Sequence, residues 1–237
     1  MKITGIIPSR YASSRFPGKP LLDLKGKSMI QRVYEGASKS KALSEVIVAT
    51  DDQRIFDAVQ EFGGKVVMTG EHHTTGTDRC AEVAVGIEAD VIMNIQGDEP
   101  LIDARQIDQL CSLFNNEEVQ IGTLGITSND DEERNNPNRI KLVLGADKRA
   151  LYFSRSPIPN NDRGQSESFH RHIGLYAYRK NTLLELTRLE PTELEKTEAL
   201  EQLRWMYYGY PIHVNITEIE TPNIDVPEDV EKVLAQL

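Results

Sequence analysis

Lys2-Ile3-Thr4-Gly5-Ile6-Ile7-Pro8-Ser9-Arg10-Tyr11-Ala12-Ser13-Ser14-Arg15-Phe16-Pro17-Gly18-Lys19-Pro20 passes from a β-branched apolar run directly into a loop carrying three cations. The run reads as a strand over residues 3–7. Further short apolar runs, at 45–50, 65–68 and 90–95, read as strands with helix-like stretches between them. That βαβα order predicts an α/β fold with a mostly parallel sheet flanked by helices. In such sheets ligands collect outside the carboxyl ends of the strands, so the loops that follow the strands are the places to look for chemistry.

After about residue 119 the order changes. Residues 139–144 and 149–154 predict a hairpin turning at Gly145-Ala146-Asp147-Lys148, which makes the sheet mixed, and 173–179 supplies another strand. The stretch 159–168, rich in Asn, Asp, Gly, Gln and Ser, reads as an exposed loop. A helix is expected over 194–208, ending near Gly209 and Pro211, and a terminal helix over 228–237 behind Pro227. The 237 residues are expected to form one domain with two halves, about 1–118 and about 119–237.

With 39% hydrophobic and 27% charged residues and no low-complexity tract, the chain has the makings of a core. Its net charge of -10 opposes binding to nucleic acid or to an anionic membrane, both of them polyanions. The amino-terminal apolar stretch is too short for a signal peptide or a membrane span, which points to the cytoplasm. Cys80 and Cys111 have no metal-ligand spacing and read as two reduced thiols without a chemical role.

The loop holding Arg10, Arg15 and Lys19 suits a polyphosphate, because guanidinium forks and an ammonium match phosphate oxygens and small residues let backbone N–H groups approach. A solvated basic turn is the alternative. It matches neither the G-x-G-x-x-G nor the G-x-x-x-x-G-K-[ST] pattern, which disfavours dinucleotide oxidoreduction and the usual NTPase chemistry. Asp98, just past the buried run 91–95 and beside Gly97, can reach a Mg²⁺ ion or close an ordinary acidic turn before a helix capped by Asp103. Glu99 is expected to face solvent or a backbone group. Asp225, after an expected strand and before a helix, reads by itself as a helix-capping acid. Gly76, Thr77 and Arg79 lie at a helix start that can also offer hydrogen bonds to a base. Arg155, His172, Tyr176, Glu201 and Gln202 form later polar groups, each with a plain alternative such as a surface charge or an Arg204 partner for Glu201.

Taken in order, RYASSRFPGKPL, ATDD, FGGKVVMT, GTDRCAE, NIQGDEP, ALYFSRSPIP, HIGLYAYR, TEALEQLR and IDVPED resemble the 3-deoxy-manno-octulosonate (Kdo) cytidylyltransferase family along nearly the whole chain. The resemblance implies a sugar nucleotidyltransferase (GT-A/Rossmann-like) fold whose hairpin region serves dimerisation and sugar binding. It also implies a homodimer using CTP, Mg²⁺ and the acid sugar Kdo, for lipopolysaccharide synthesis. Arg10, Arg15 and Lys19 would hold the triphosphate, Lys19 as a catalytic cation, while Gly76, Thr77 and Arg79 recognise cytidine and Asp98 and Asp225 bind magnesium. Arg155, His172, Tyr176, Glu201 and Gln202 would surround the sugar, with Arg155 and His172 at its carboxylate and the others at its hydroxyls. Three departures stand out: Ser9 for the usual alanine, IDVPED for IDTPED, and a loop at 160–168 without its usual aromatic residue. The loop leaves an amino-substituted Kdo as an alternative acceptor; apart from the loop, the other readings are a cytidylyltransferase for another acid sugar, such as a sialic acid, and a non-catalytic nucleotide-binding module.

Overall fold

The computed structural model describes residues 1–12, 16–164, 168–224 and 226–237. In chain order its strands are β1 (Ile3–Ser9), β2 (Glu45–Thr50), β3 (Val66–Met68), β4 (Val91–Asn94), β5 (Ile121–Ser128), β6 (Lys141–Leu144), β7 (Ala150–Ser154), β8 (Phe169–Arg179) and β9 (Ile212–Thr217). The helices are α1 (Met29–Ala37), α2 (Gln53–Glu61), α3 (Gly76–Val85), α4 (Ala104–Ser112), α5 (Asp131–Asn135), α6 (Lys180–Leu186), α7 (Glu193–Glu198), α8 (Gln202–Tyr207) and α9 (Asp229–Leu234). They cluster into two compact units, Met1–Cys111 with Thr221–Leu237, and Ser112–Glu220.

In the first unit β2 lies between β3 and β1, and β1 between β2 and β4, all parallel. β1, β2 and β4 are nearly continuous apolar runs because both faces are covered, while Val67 and Met68 of β3 are exposed. Short polar side chains start the helices: Ser28 accepts from the Gln31 N–H, Asp52 from Arg54 and Thr75 from Asp78, each satisfying a donor the first helical turn leaves open. The final segment returns to this unit, whereas a simple division near residue 118 puts it with the second half. Its reason is apolar: Ile224 and Val233 are buried with Leu24 and Met29, and Phe16, Leu22, Val230 and Leu234 pack around them.

The second unit is mixed. β5 pairs antiparallel with β8 and parallel with β9, while β6 and β7 form the expected hairpin and β6 also pairs with β8. The hairpin closes through Gly145 N–H to the Arg149 carbonyl, with Lys148 in the left-handed region at φ 61°. The expected helix over 194–208 is two helices, α7 and α8, because Ala199 turns left-handed at φ 49°. Side-chain periodicity carries no trace of a single-residue reversal, and β5 and β9 were likewise not singled out in the sequence.

Candidate functional site

In the first unit the carboxyl ends of β1 and β4 bring the cationic loop and the Gln96–Glu99 turn together. Lys19 sits in a single 3₁₀ turn behind Gly18, whose φ of 73° is the left-handed conformation that favours glycine. From there its ammonium donates to the Asp98 carboxylate at 2.9 Å and to the Ile224 carbonyl at 2.7 Å. The Ile224 N–H in turn donates to the Asp98 carbonyl at 2.9 Å, so the chain just before Asp225 is tied to Asp98 at two points. The side chains of Lys19 and Asp98 are 12% and 26% exposed, within reach of a ligand and partly shielded from water. A Cβ at Gly97 would stand 3.2 Å from the Pro8 carbonyl, which is why the turn passes so close to β1.

Arg10 is exposed at the end of β1. Arg15 and Asp225 lie outside the described residues, as do residues 165–167 of the expected exposed loop. Gly76 opens α3 against the Pro8 ring, where a Cβ would approach to 3.1 Å. Thr77 and Arg79 are buried, each 3% exposed. The Arg79 guanidinium donates to the Asp51 carboxylate at 2.6 Å and to the Thr69 hydroxyl. That arrangement ties α3 to the residues following β2 and β3. Glu99, expected to face solvent or a backbone group, is instead 8% exposed and accepts from the Thr221 hydroxyl at 3.2 Å.

In the second unit Arg155 follows β7. Its backbone N–H donates to the Glu198 carboxylate, and its guanidinium donates to the carbonyls of Glu198, Ala199 and Pro137 at 2.6, 3.2 and 2.9 Å. Two of those carbonyls belong to the break between α7 and α8, so the guanidinium satisfies acceptors that the helix end leaves open. An arginine carries five N–H donors. One on each terminal nitrogen therefore remains beyond these three bonds.

His172 on β8 lies between the rings of Phe153 and Tyr176, each 5.2 Å away. Its Nε2 is 3.0 Å from the Thr123 hydroxyl, which donates its one proton to the Leu175 carbonyl at 2.8 Å. With the hydroxyl proton on that carbonyl, the network assigns Nε2 as the donor and Nδ1 as the acceptor. Burial, helped by the neighbouring Arg171 charge, pushes the imidazole down to about 3, so it is neutral near neutral pH. An acceptor lone pair on a neutral imidazole suits a hydroxyl, whereas the family resemblance implies a place at the sugar's carboxylate. Tyr176 is buried against Trp205, with ring centroids 5.2 Å apart, and burial together with the Glu201 charge holds its phenol protonated. Gln202 begins α8 buried, and Glu201 precedes it at 3.9 Å from Arg204. Arg204 makes its closer pair with Glu195, at 2.6 Å.

A family model described as cytidylyltransferase matches residues 4–219. The chain belongs to the cytidylyltransferase family. Over its full length it is 53% identical to a 3-deoxy-manno-octulosonate cytidylyltransferase of Parabacteroides distasonis, covering 98% of that protein. It is likewise 46% identical over its full length to an 8-amino-3,8-dideoxy-manno-octulosonate cytidylyltransferase of Shewanella pealeana, covering 99% of it. A solved CMP:2-keto-3-deoxy-manno-octonic acid synthetase complexed with CTP matches all of the chain and 98% of its own at 43% identity and a TM-score of 0.96. The nucleotidyltransferase α/β fold expected from the motifs is the fold of this cytidylyltransferase.

Several participants were not singled out in the sequence. Thr123 fixes the His172 tautomer, Glu198 holds the backbone and serine neighbour of Arg155, and Asp51 with Thr69 holds Arg79. Glu198 lies within the TEALEQLR motif, and that position was the available signal. Thr123 gives none, since a threonine in a strand is ordinary. Among the described residues no helix is long and apolar enough to cross a membrane, and the Cys80 and Cys111 thiols are buried.

Proposed function

We propose that this cytidylyltransferase transfers CMP from CTP to the anomeric hydroxyl of Kdo, releasing pyrophosphate, in the cytoplasmic supply of activated sugar for lipopolysaccharide. The observation that carries the reading is the Lys19–Asp98 pair at the carboxyl edge of the parallel strands, in a chain alike over its whole length to proteins bearing that activity's name. The anomeric oxygen attacks the α-phosphorus, the bond to the β-phosphate bridging oxygen breaks, and the hydroxyl proton passes to solvent or a carboxylate. No covalent protein intermediate is required.

Lys19, Arg10 and Arg15 supply positive charge to the triphosphate, and Lys19 moves from its carboxylate and carbonyl partners to phosphate oxygens. Gly76 lets the start of α3 approach the nucleoside, while Thr77 and Arg79 act by holding that helix start. The oxygens of Asp98 and Ile224 already converge on one cation, a hard-oxygen donor set that fits a divalent ion such as Mg²⁺. Bound by Asp98 and Asp225, Mg²⁺ would polarise the α-phosphate and offset its growing charge. At the sugar, the remaining donors of Arg155 meet the carboxylate, while His172 Nδ1, the Tyr176 phenol, Glu201 and Gln202 meet hydroxyls. The enzyme works as a homodimer.

The Shewanella relative supports a second acceptor, the 8-amino analogue of Kdo. The test is mass spectrometry of products after incubation with CTP, Mg²⁺ and each sugar. Pyrophosphate and a CMP-sugar should appear only when all three components are present, and equal pyrophosphate release without sugar refutes the transfer.

A further inference from the structure

Lys141 opens β6 with its side chain fully buried, paired in register with Ser154 on β7 and Arg171 on β8. A buried ammonium is costly unless its donors are met, and a lysine seldom stays inside without a purpose for its charge. Its Nζ donates to the carbonyls of Arg155 at 2.5 Å and Asn136 at 3.0 Å. The Arg155 backbone is thus held at both ends, its N–H by Glu198 and its C=O by Lys141. The Arg155 guanidinium also reaches the Pro137 carbonyl, so both cations clamp the same short segment, 136–137, against residue 155. Desolvation and the nearby Arg155 charge lower the Lys141 pKa, and the Glu198 carboxylate opposes them. Among Lys141, Arg155 and Glu198 two cations face one carboxylate, a local surplus of positive charge beside Arg155 that favours an incoming anion. Removal of Lys141 would set Arg155 against Glu198 with no excess charge.

We propose that Lys141 is a positioning residue for the acid sugar, fixing Arg155 and supplying the surplus charge that lets it capture a carboxylate. The inference rests on the sugar-binding reading of Arg155 given above. It distinguishes Lys141 from Arg155 itself: Lys141 is fully buried and acts through Arg155 rather than by touching the sugar.

The test compares steady-state kinetics of Lys141→Met and Lys141→Arg with the unaltered enzyme, using Kdo, CTP and Mg²⁺. For Lys141→Met the KM for Kdo should rise roughly tenfold or more, the scale of one lost charge-assisted hydrogen bond, while the KM for CTP changes less than about twofold. Lys141→Arg, which keeps the charge and can still donate to both carbonyls, should recover most of the Kdo affinity. An unchanged KM for Kdo in folded Lys141→Met overturns the proposal, as does an equal rise in both KM values. If Lys141→Met fails to fold, Lys141→Arg decides: a Kdo KM more than about tenfold worse than its CTP KM, both relative to the unaltered enzyme, argues for fixed geometry without the charge and also overturns it. Failure of the underlying reading is separately visible, because the unaltered enzyme would then make no CMP-sugar from Kdo or its 8-amino analogue.

Discussion

Replacing Asp98 by Asn separates a catalytic carboxylate from a structural one. The side chain keeps its shape and an acceptor oxygen, and Lys19 keeps its 2.7 Å bond to the Ile224 carbonyl. What disappears is the charge in a 2.9 Å ion pair whose carboxylate is about a quarter exposed. A hydrogen bond to a charged group contributes about 1.5–3 kcal/mol. Partial solvation and the surviving neutral bond reduce the stability loss to about 1 kcal/mol or less. The transition state loses more, because the carboxylate that would anchor Mg²⁺ near the α-phosphate is gone. Turnover should fall by about 10²-fold or more, the scale measured for one electrostatic contact to a transition state. The assay is turnover across a magnesium titration, with urea unfolding followed by circular dichroism on the same samples. Raising magnesium should recover part of the rate if metal affinity is what suffered. Near-normal turnover at every magnesium concentration, in a folded protein, refutes the placement of Asp98 in the chemistry.

Other substitutions test the supports around the two subsites. Arg79→Met leaves the Asp51 carboxylate, 17% exposed, without its cation and should destabilise by about 1–3 kcal/mol in urea unfolding; Asp51→Asn should weaken CTP binding measured by calorimetry, since both residues act on the start of α3. His172 has a folded pKa of about 3, below its unfolded value near 6.5, so the unfolded chain binds more protons between those limits. Its contribution to stability is therefore complete above about pH 6.5 and lost as the pH falls toward 3, and His172→Asn should flatten that part of a Tm-versus-pH curve. Ala199→Gly relieves a left-handed Cβ at φ 49° and should raise stability by about 0.5–1 kcal/mol net of glycine's entropy, measured by thermal unfolding.

The sequence by itself determined the alternation of buried strands and helices in the first unit, and with it the edge at which Lys19 and Asp98 stand. Continuous apolar runs and short polar caps are local signals, set by which faces of an element must leave water. The ordered motifs also pointed to the family, and the residues proposed for the two subsites were taken from them. Tertiary structure alone decided what those residues do with their hydrogen bonds. That Arg79 is spent on Asp51, that Lys141 is buried beneath Arg155, and that α7 and α8 part at Ala199 all depend on partners far away in the chain. The tautomer of His172 follows from a threonine 49 positions earlier, whose own proton is taken by a strand carbonyl. The return of residues 221–237 to the first unit is of the same kind, because an apolar face records that it will be buried and not which surface will cover it.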